Sequence, residues 1–169
     1  VEGGVFFVTT SFRRRRLLRD NGYYRIIVNS LGYVKKKYAF EIWAYVLMPS
    51  HLHIIIAFPG ENGLSAAIRD FKKYSAYRLR KLLEVNGYLE TLESLRNPDG
   101  RTRQFQVWES RFDDVIIYSR RVLETKINYV QNNPVRAGLC SAPSDWPYSS
   151  ARDYAGRRSA LEVDPFYFR

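Results

Sequence analysis

Two histidines stand out, because they are the whole histidine content of the chain and lie two residues apart, at His51 and His53. On a strand, residues two apart point to the same face. The spacing therefore predicts two imidazoles converging on one point, with Leu52 buried opposite. Neutral imidazole is a common ligand for divalent metals. With no further histidine and only Cys140 as a thiol, any metal would need an oxygen ligand from elsewhere. Two nitrogens plus oxygen, with open positions, suit Mg²⁺ or Mn²⁺ shared with substrate phosphate oxygens better than a closed zinc site. The plain alternative is a pair of ordinary strand histidines.

A second candidate lies in Lys126 to Leu139, K-I-N-Y-V-Q-N-N-P-V-R-A-G-L. Tyr129 and Asn133 are four apart, hence on one helix face. A phenol there can be exposed at a cleft, and the carboxamide oxygen of Asn133 can reach a metal. The spacing alone does not say that this helix faces the histidines, and most of the 13 tyrosines must be packing residues.

The elements around these residues follow from pattern. Gly4 to Phe12 reads as a strand, Asp20 to Lys37 as a helix, and Phe40 to Met48 with His51 to Phe58 as a hairpin broken at Pro49. Leu64 to Val85 is the clearest helix, with Leu64, Ile68, Phe71, Ser75, Leu79 and Leu82 on one face and Arg69, Lys73 and Arg80 opposite. Glu84 to Arg103 reads as an exposed, mobile loop and Gln104 to Trp108 as a strand. Asp113 to Tyr118 is a short strand or a helix lead-in. Ser119 is placed to cap a helix that Pro134 ends. From Val135 the chain reads as an irregular tail, so residues 1–135 form the domain and 136–169 a tail packed on it. The order β α β β α β α predicts an α+β, ferredoxin-like fold, a mostly antiparallel sheet with helices packed on it.

Composition points to a partner. Twenty-seven Lys and Arg against 17 Asp and Glu give a net charge of +10, a field that attracts polyanions. Aromatic residues at 15% fill a core and can also stack unpaired bases. Arg13, Arg14, Arg15 and Arg16, Lys72, Lys73 and Arg136 are the candidate DNA contacts, the arginine run being a solvated loop in the absence of DNA. No apolar run is long enough to span a membrane, and Val1 to Thr10 lacks the pattern of a signal peptide. One cysteine excludes an internal disulfide and fits a reducing cytoplasm.

Four blocks carry a family resemblance. Y-V-L-M-P-S-H-L-H-I-I-I (Tyr45 to Ile56) resembles the His-hydrophobic-His strand of the single-tyrosine transposases. V-W-E-S-R-F-D-D-V-I-I (Val107 to Ile117), N-Y-V-Q-N-N-P-V-R-A-G-L (Asn128 to Leu139) and D-W-P-Y-S-S (Asp145 to Ser150) resemble the branch associated with repetitive extragenic palindromes (REP). The resemblance implies metal-dependent nicking and joining of single-stranded or hairpin DNA near the nucleoid. It implies His51, His53 and Asn133 as ligands of Mg²⁺ or Mn²⁺, with Asn132 a rival to Asn133 by adjacency, and Tyr129 as nucleophile. It also implies a homodimer as one arrangement, with the tyrosine helix acting on a partner's site. Ser50 departs from the larger polar residue, often Asn, expected before the first histidine. The family's leader before the first strand is absent from this sequence, so hairpin recognition is expected to be incomplete. Two other readings compete: a catalytically silent DNA-hairpin-binding module, and a metal hydrolase using activated water. The second needs a general base, and no Asp or Glu lies in the blocks around His51 or Tyr129.

Overall fold

The computed structural model describes residues 3–15, 17–60, 63–97 and 105–166. Four strands form one sheet: β1 (Gly3–Ser11), β2 (Glu41–Leu47), β3 (His51–Pro59) and β4 (Asp113–Ile116), in the order β2-β3-β1-β4. Every neighbouring pair is antiparallel, which is the split βαβ arrangement of the ferredoxin-like fold expected from the element order. Three helices cover the sheet: α1 (Asn21–Tyr38), α2 (Leu64–Val85) and, on the other side, a helix described below.

Alternation along β3 decides which residue faces what. Leu52, Ile54 and Ile56 join the core beneath α1 and α2, with Ile27, Leu31, Phe71 and Leu79 of those helices. Ile55, with Phe7 and Val46 on adjacent strands, joins a second core on the opposite face. His51 and His53 share the parity of Ile55, so they lie on that second face. Along α2 the buried positions are Ala67, Ile68, Phe71, Ser75, Leu79 and Leu83; Leu83, not Leu82, takes the innermost place in the last turn.

The segment between α2 and β4 differs from the expected loop and strand. Leu89–Ser94 forms a short helix, α3, because Leu92 and Leu95 bury themselves in the first core. Residues 105–108 are extended but make no ladder. Their backbone bonds are divided between two elements: Gln106 N–H donates to Leu95, and Val107 accepts from Arg13. Two isolated bridges, Arg96 with Phe105 and Phe12 with Trp108, complete the divided pairing. Trp108 stacks on Phe12 at 4.1 Å between centroids, and its indole N–H donates to Ser75 at 2.9 Å.

Helix α4 (Arg120–Arg136) is capped by Ser119, whose hydroxyl accepts from Val122 N–H. It does not stop before Pro134. Proline lacks one donor, but beyond it Leu139 N–H bonds Pro134 and Gly138 N–H bonds Val135. That reciprocal pair is a Schellman closure, and it needs a residue in the left-handed region, which Gly138 supplies at φ 71°. The helix ends at Ala-Gly-Leu, and Asn133 is held inside a regular turn.

After α4 come a 3₁₀ turn (Pro143–Asp145) and a one-turn helix, α5 (Ala151–Tyr154). Between them the chain seals the free edge of β2. Leu47 N–H donates to Tyr148, Ser150 N–H donates to Tyr45, and Trp146 indole N–H donates to Leu47 at 3.0 Å. Tyr148 stacks on Tyr24 of α1 at 4.4 Å. The fully buried Ser150 hydroxyl accepts from Tyr45 N–H at 3.0 Å. Ser150→Ala strands that buried donor, so a loss of about 1–3 kcal/mol in unfolding free energy is expected. Urea melts of the two proteins measure it.

Candidate active site

Register brings the site together. His53 is the β3 partner of Thr9 on β1, and His51 is the partner of Ser11. The imidazole centroids of His51 and His53 are 4.5 Å apart. Leu123, Ile127 and Val130 anchor α4 in the second core, and this sets Tyr129 beside the histidines. Its ring centroid is 5.3 Å from His53 and 6.0 Å from Phe7. The Asn133 amide, one turn on, lies beside the His51 ring and favours its charged form. Asn132 is exposed, and its side-chain N–H donates to the Asn128 carbonyl of its own helix at 2.9 Å.

The Nδ1 atoms of both rings are engaged by hydroxyls. His53 Nδ1 lies 2.8 Å from Thr9 Oγ1, and His51 Nδ1 lies 2.8 Å from Ser50 Oγ. A hydroxyl on Nδ1 leaves Nε2 as the free coordinating nitrogen, the usual device for orienting a metal-binding imidazole. The Ser50 that departs from the family pattern thus performs this task itself. Among the described residues, no three of His, Cys, Asp and Glu gather into a metal cluster. The donors that gather here are two imidazoles and the amide of Asn133. Nitrogen and neutral oxygen donors with positions left for phosphate fit Mg²⁺ or Mn²⁺ chemistry.

Electrostatics favour the neutral rings such ligands require. Burial pushes the His53 pKa down to about 3, helped by His51 and the Lys126 charge, and burial also lowers that of His51. His53 is only 6% exposed. The unfolded chain takes up protons on these groups below about pH 6.5 and the metal-free folded chain does not. Stability is thus retained above that pH and lost as pH falls towards 3, by up to about 1.4 kcal/mol per unit for His53. Urea midpoints of metal-free protein should fall between pH 6.5 and pH 4, with a shallower fall in His53→Gln.

The basic candidates fall into two groups. Arg136 lies on the catalytic side, its guanidinium 5.3 Å from the Tyr129 ring centre. Arg13 donates to Gln106 at 2.9 Å and Arg14 to Ser94, so these two arginines are fastened to the folded chain and are not part of a free solvated run. Arg15 is exposed, and Arg16 lies outside the described residues. Lys72 donates to the carbonyls of Glu109, Ser110 and Arg111, which makes it a clamp on that loop. Lys73 is exposed on α2.

The sequence reading passed over Thr9, Phe7 and Lys126. The Lys126 ammonium is 4.5 Å from the centre of the Phe7 ring and 5.8 Å from that of Tyr129. Its place three residues before Tyr129 is a helical neighbour relation that was available in the sequence.

The sequence model of the IS200-like transposases matches residues 5–133. The chain belongs to that family. It is 27% identical over 151 residues to the REP-associated tyrosine transposase of Escherichia coli strain K12, covering 89% of this chain and 78% of that protein. Its fold is similar to the solved structure of a REP-associated tyrosine transposase bound to a REP hairpin. The TM-score is 0.70 at 27% identity, over 99% of this chain and 90% of the other. In this member of the IS200-like family the matched span takes in His51, His53, Tyr129 and Asn133. The Trp-Pro-Tyr-Ser-Ser stretch that seals β2 lies beyond it.

Proposed function

We propose that this chain is a metal-dependent transposase that nicks and rejoins single-stranded DNA at hairpin-forming repeats, with Tyr129 as nucleophile. The observation that carries the reading is the meeting of β3 and α4, with the Tyr129 ring 5.3 Å from His53 and the Asn133 amide beside the His51 ring. The relative whose structure includes a REP hairpin supports hairpin DNA as substrate. Such a substrate puts the activity at the nucleoid, in the cytoplasm. The two histidines and the asparagine would hold Mg²⁺ or Mn²⁺, which when bound would supply Lewis-acid polarisation of the scissile phosphate.

Tyr129 attacks phosphorus in line. The new bond joins the phenolic oxygen to phosphorus, and the bond to the 3′-oxygen breaks. The products are a 5′-phosphotyrosine and a free 3′-hydroxyl; the phenol gives up one proton and the departing oxygen gains one. The ester keeps the phosphodiester bond energy, so another 3′-hydroxyl can reverse the step and join strands. Lys126 and Arg136 flank the phenol ring and lower the cost of bringing a phosphate dianion-like transition state against it. Thr9 and Ser50 hold the imidazoles in the orientation the ligands need.

The test is incubation with a labelled hairpin oligonucleotide and Mn²⁺, followed by a denaturing gel. A covalent adduct that a chelator abolishes is the expected result. A mobility shift on a native gel without any adduct would make the chain a silent hairpin binder. Free cleaved product without adduct would make it a hydrolase.

A further inference from the structure

The outer face of α2, on the opposite side of the sheet from Tyr129, carries features that the chemistry above does not use. Arg69, Lys73, Tyr77 and Lys81 follow one another at four-residue spacing and form one ridge. Tyr77 is 55% exposed, and Tyr33 of α1 is 53% exposed. Tyr33 and Tyr74 lie 4.8 Å apart between ring centroids. Cations stand over these rings, Arg78 at 5.6 Å from Tyr74 and Lys81 at 6.0 Å from Tyr77.

Two grooves flank the ridge. The larger, of about 740 Å³, runs between α2 and residues 105–110. The smaller, of about 340 Å³, runs towards α1, and both are lined by Asp70, Lys73 and Tyr77. Asp70 is the acid common to both, and its charge is met by Lys37 at 2.6 Å and by the Tyr38 hydroxyl at 2.7 Å. Arg69 and Lys73 form no ion pair among the described residues. Arg69 acts on the Asp70 charge and Lys81 pairs with Glu84 at 3.3 Å, but basic side chains still outnumber acidic ones along the ridge, and cations beside exposed aromatic rings suit a single-strand binding platform: cations follow phosphates while rings stack bases.

The larger groove also leads to the catalytic end of the sheet. Its wall at Glu109 is bonded through N–H to Ser11 at 2.9 Å, and Ser11 is the strand partner of His51. Lys72 fixes that wall by its three carbonyl contacts.

We propose that the α2 groove holds the single-stranded DNA flanking the reacting hairpin, with phosphates on Arg69 and Lys73 and bases stacked on Tyr77 and on the Tyr33–Tyr74 pair. The assignment rests on the DNA-processing function proposed above and adds to it a site on the other face of the sheet. It explains why tyrosines are exposed along a basic helix, where a merely solvated face needs no aromatic rings.

Fluorescence anisotropy in metal-free buffer tests it on the full chain, with one labelled hairpin that is blunt and one that carries a single-stranded extension. The parent protein should bind the extended hairpin about tenfold more tightly, the effect of one or two stacked bases with their phosphates. Lys73→Ala combined with Tyr77→Ala should erase that preference and reduce the salt dependence of binding. Tyr77→Trp, which keeps a stacking ring, should preserve it and guards against a folding artefact in the double variant. Equal affinity of the parent for both hairpins, or a preference that survives the double variant, overturns the groove assignment. If that happens while the parent still forms the Tyr129 adduct, the function stands and only the groove falls. If neither oligonucleotide binds and no adduct forms, both fail. Tight binding of an acidic peptide in place of the extension also overturns the assignment.

Discussion

Tyr129→Phe is expected to abolish covalent capture of DNA, slowing nicking by about 10³-fold or more, while hairpin affinity stays within about twofold. The substitution removes one oxygen and keeps the ring. The edge contacts of that ring with His53 at 5.3 Å and Phe7 at 6.0 Å survive, as do the cations over it. The phenol is half-buried and its ring contacts, not its hydroxyl, define its place, so the stability change should stay below about 1 kcal/mol. Single-turnover gels and a thermal melt read the two quantities separately. An unchanged nicking rate would assign the chemistry to another nucleophile.

The second large effect separates the two histidines. His51→Ala and His53→Ala should each weaken Mn²⁺ binding by about 100-fold or more and halt cleavage, because each removes one of the three proposed ligands. Their effects on folding should differ. His53 is 6% exposed, stacks against Phe7 at 5.5 Å and satisfies Thr9; its removal leaves a cavity and a hydroxyl without its partner. A loss of about 2–4 kcal/mol is expected. His51 is only half-buried and its partner Ser50 adjoins the hairpin turn, so His51→Ala should cost about 1 kcal/mol. Calorimetric Mn²⁺ titration and urea melts test the pair. Equal stability loss in both variants would contradict the burial asymmetry, and retained Mn²⁺ affinity in either would remove that residue from the ligand set.

The pairing of the candidate residues was legible because its geometry is local. Two-residue periodicity on a strand brings His51 and His53 to one face, and four-residue spacing on a helix does the same for Tyr129 and Asn133. That these two faces meet is a long-range property. It depends on α4 packing on the sheet face opposite α1 and α2, and no spacing within either element contains that information; the family resemblance supplied it. Thr9 was out of reach for the same reason, since its contact with His53 depends on strand register across 44 residues.

The misread elements share a different cause. Pro134 reads locally as a helix stop, but the Ala-Gly-Leu that follows closes the helix by backbone bonds one turn later. Leu92 and Leu95 are too few to announce a helix by periodicity, and burial in the first core stabilises one. Residues 105–108 look like a strand by composition, but their backbone partners are divided between the ends of β1 and α3. In each case a tertiary contact outweighs the local preference. The arginine run is similar: Arg13 and Arg14 find partners in a segment some 80 to 93 residues away.

The most direct measurement of the central claim is mass spectrometry of the trapped intermediate. A hairpin whose nick releases a short, freely diffusing 3′-hydroxyl fragment prevents rejoining and lets the adduct accumulate. After nuclease and trypsin digestion, peptide 127–136 should carry a 5′-phosphonucleotide on Tyr129. A nucleotide on any other tyrosine, or cut DNA bearing a free 5′-phosphate with every peptide unmodified, would contradict the account.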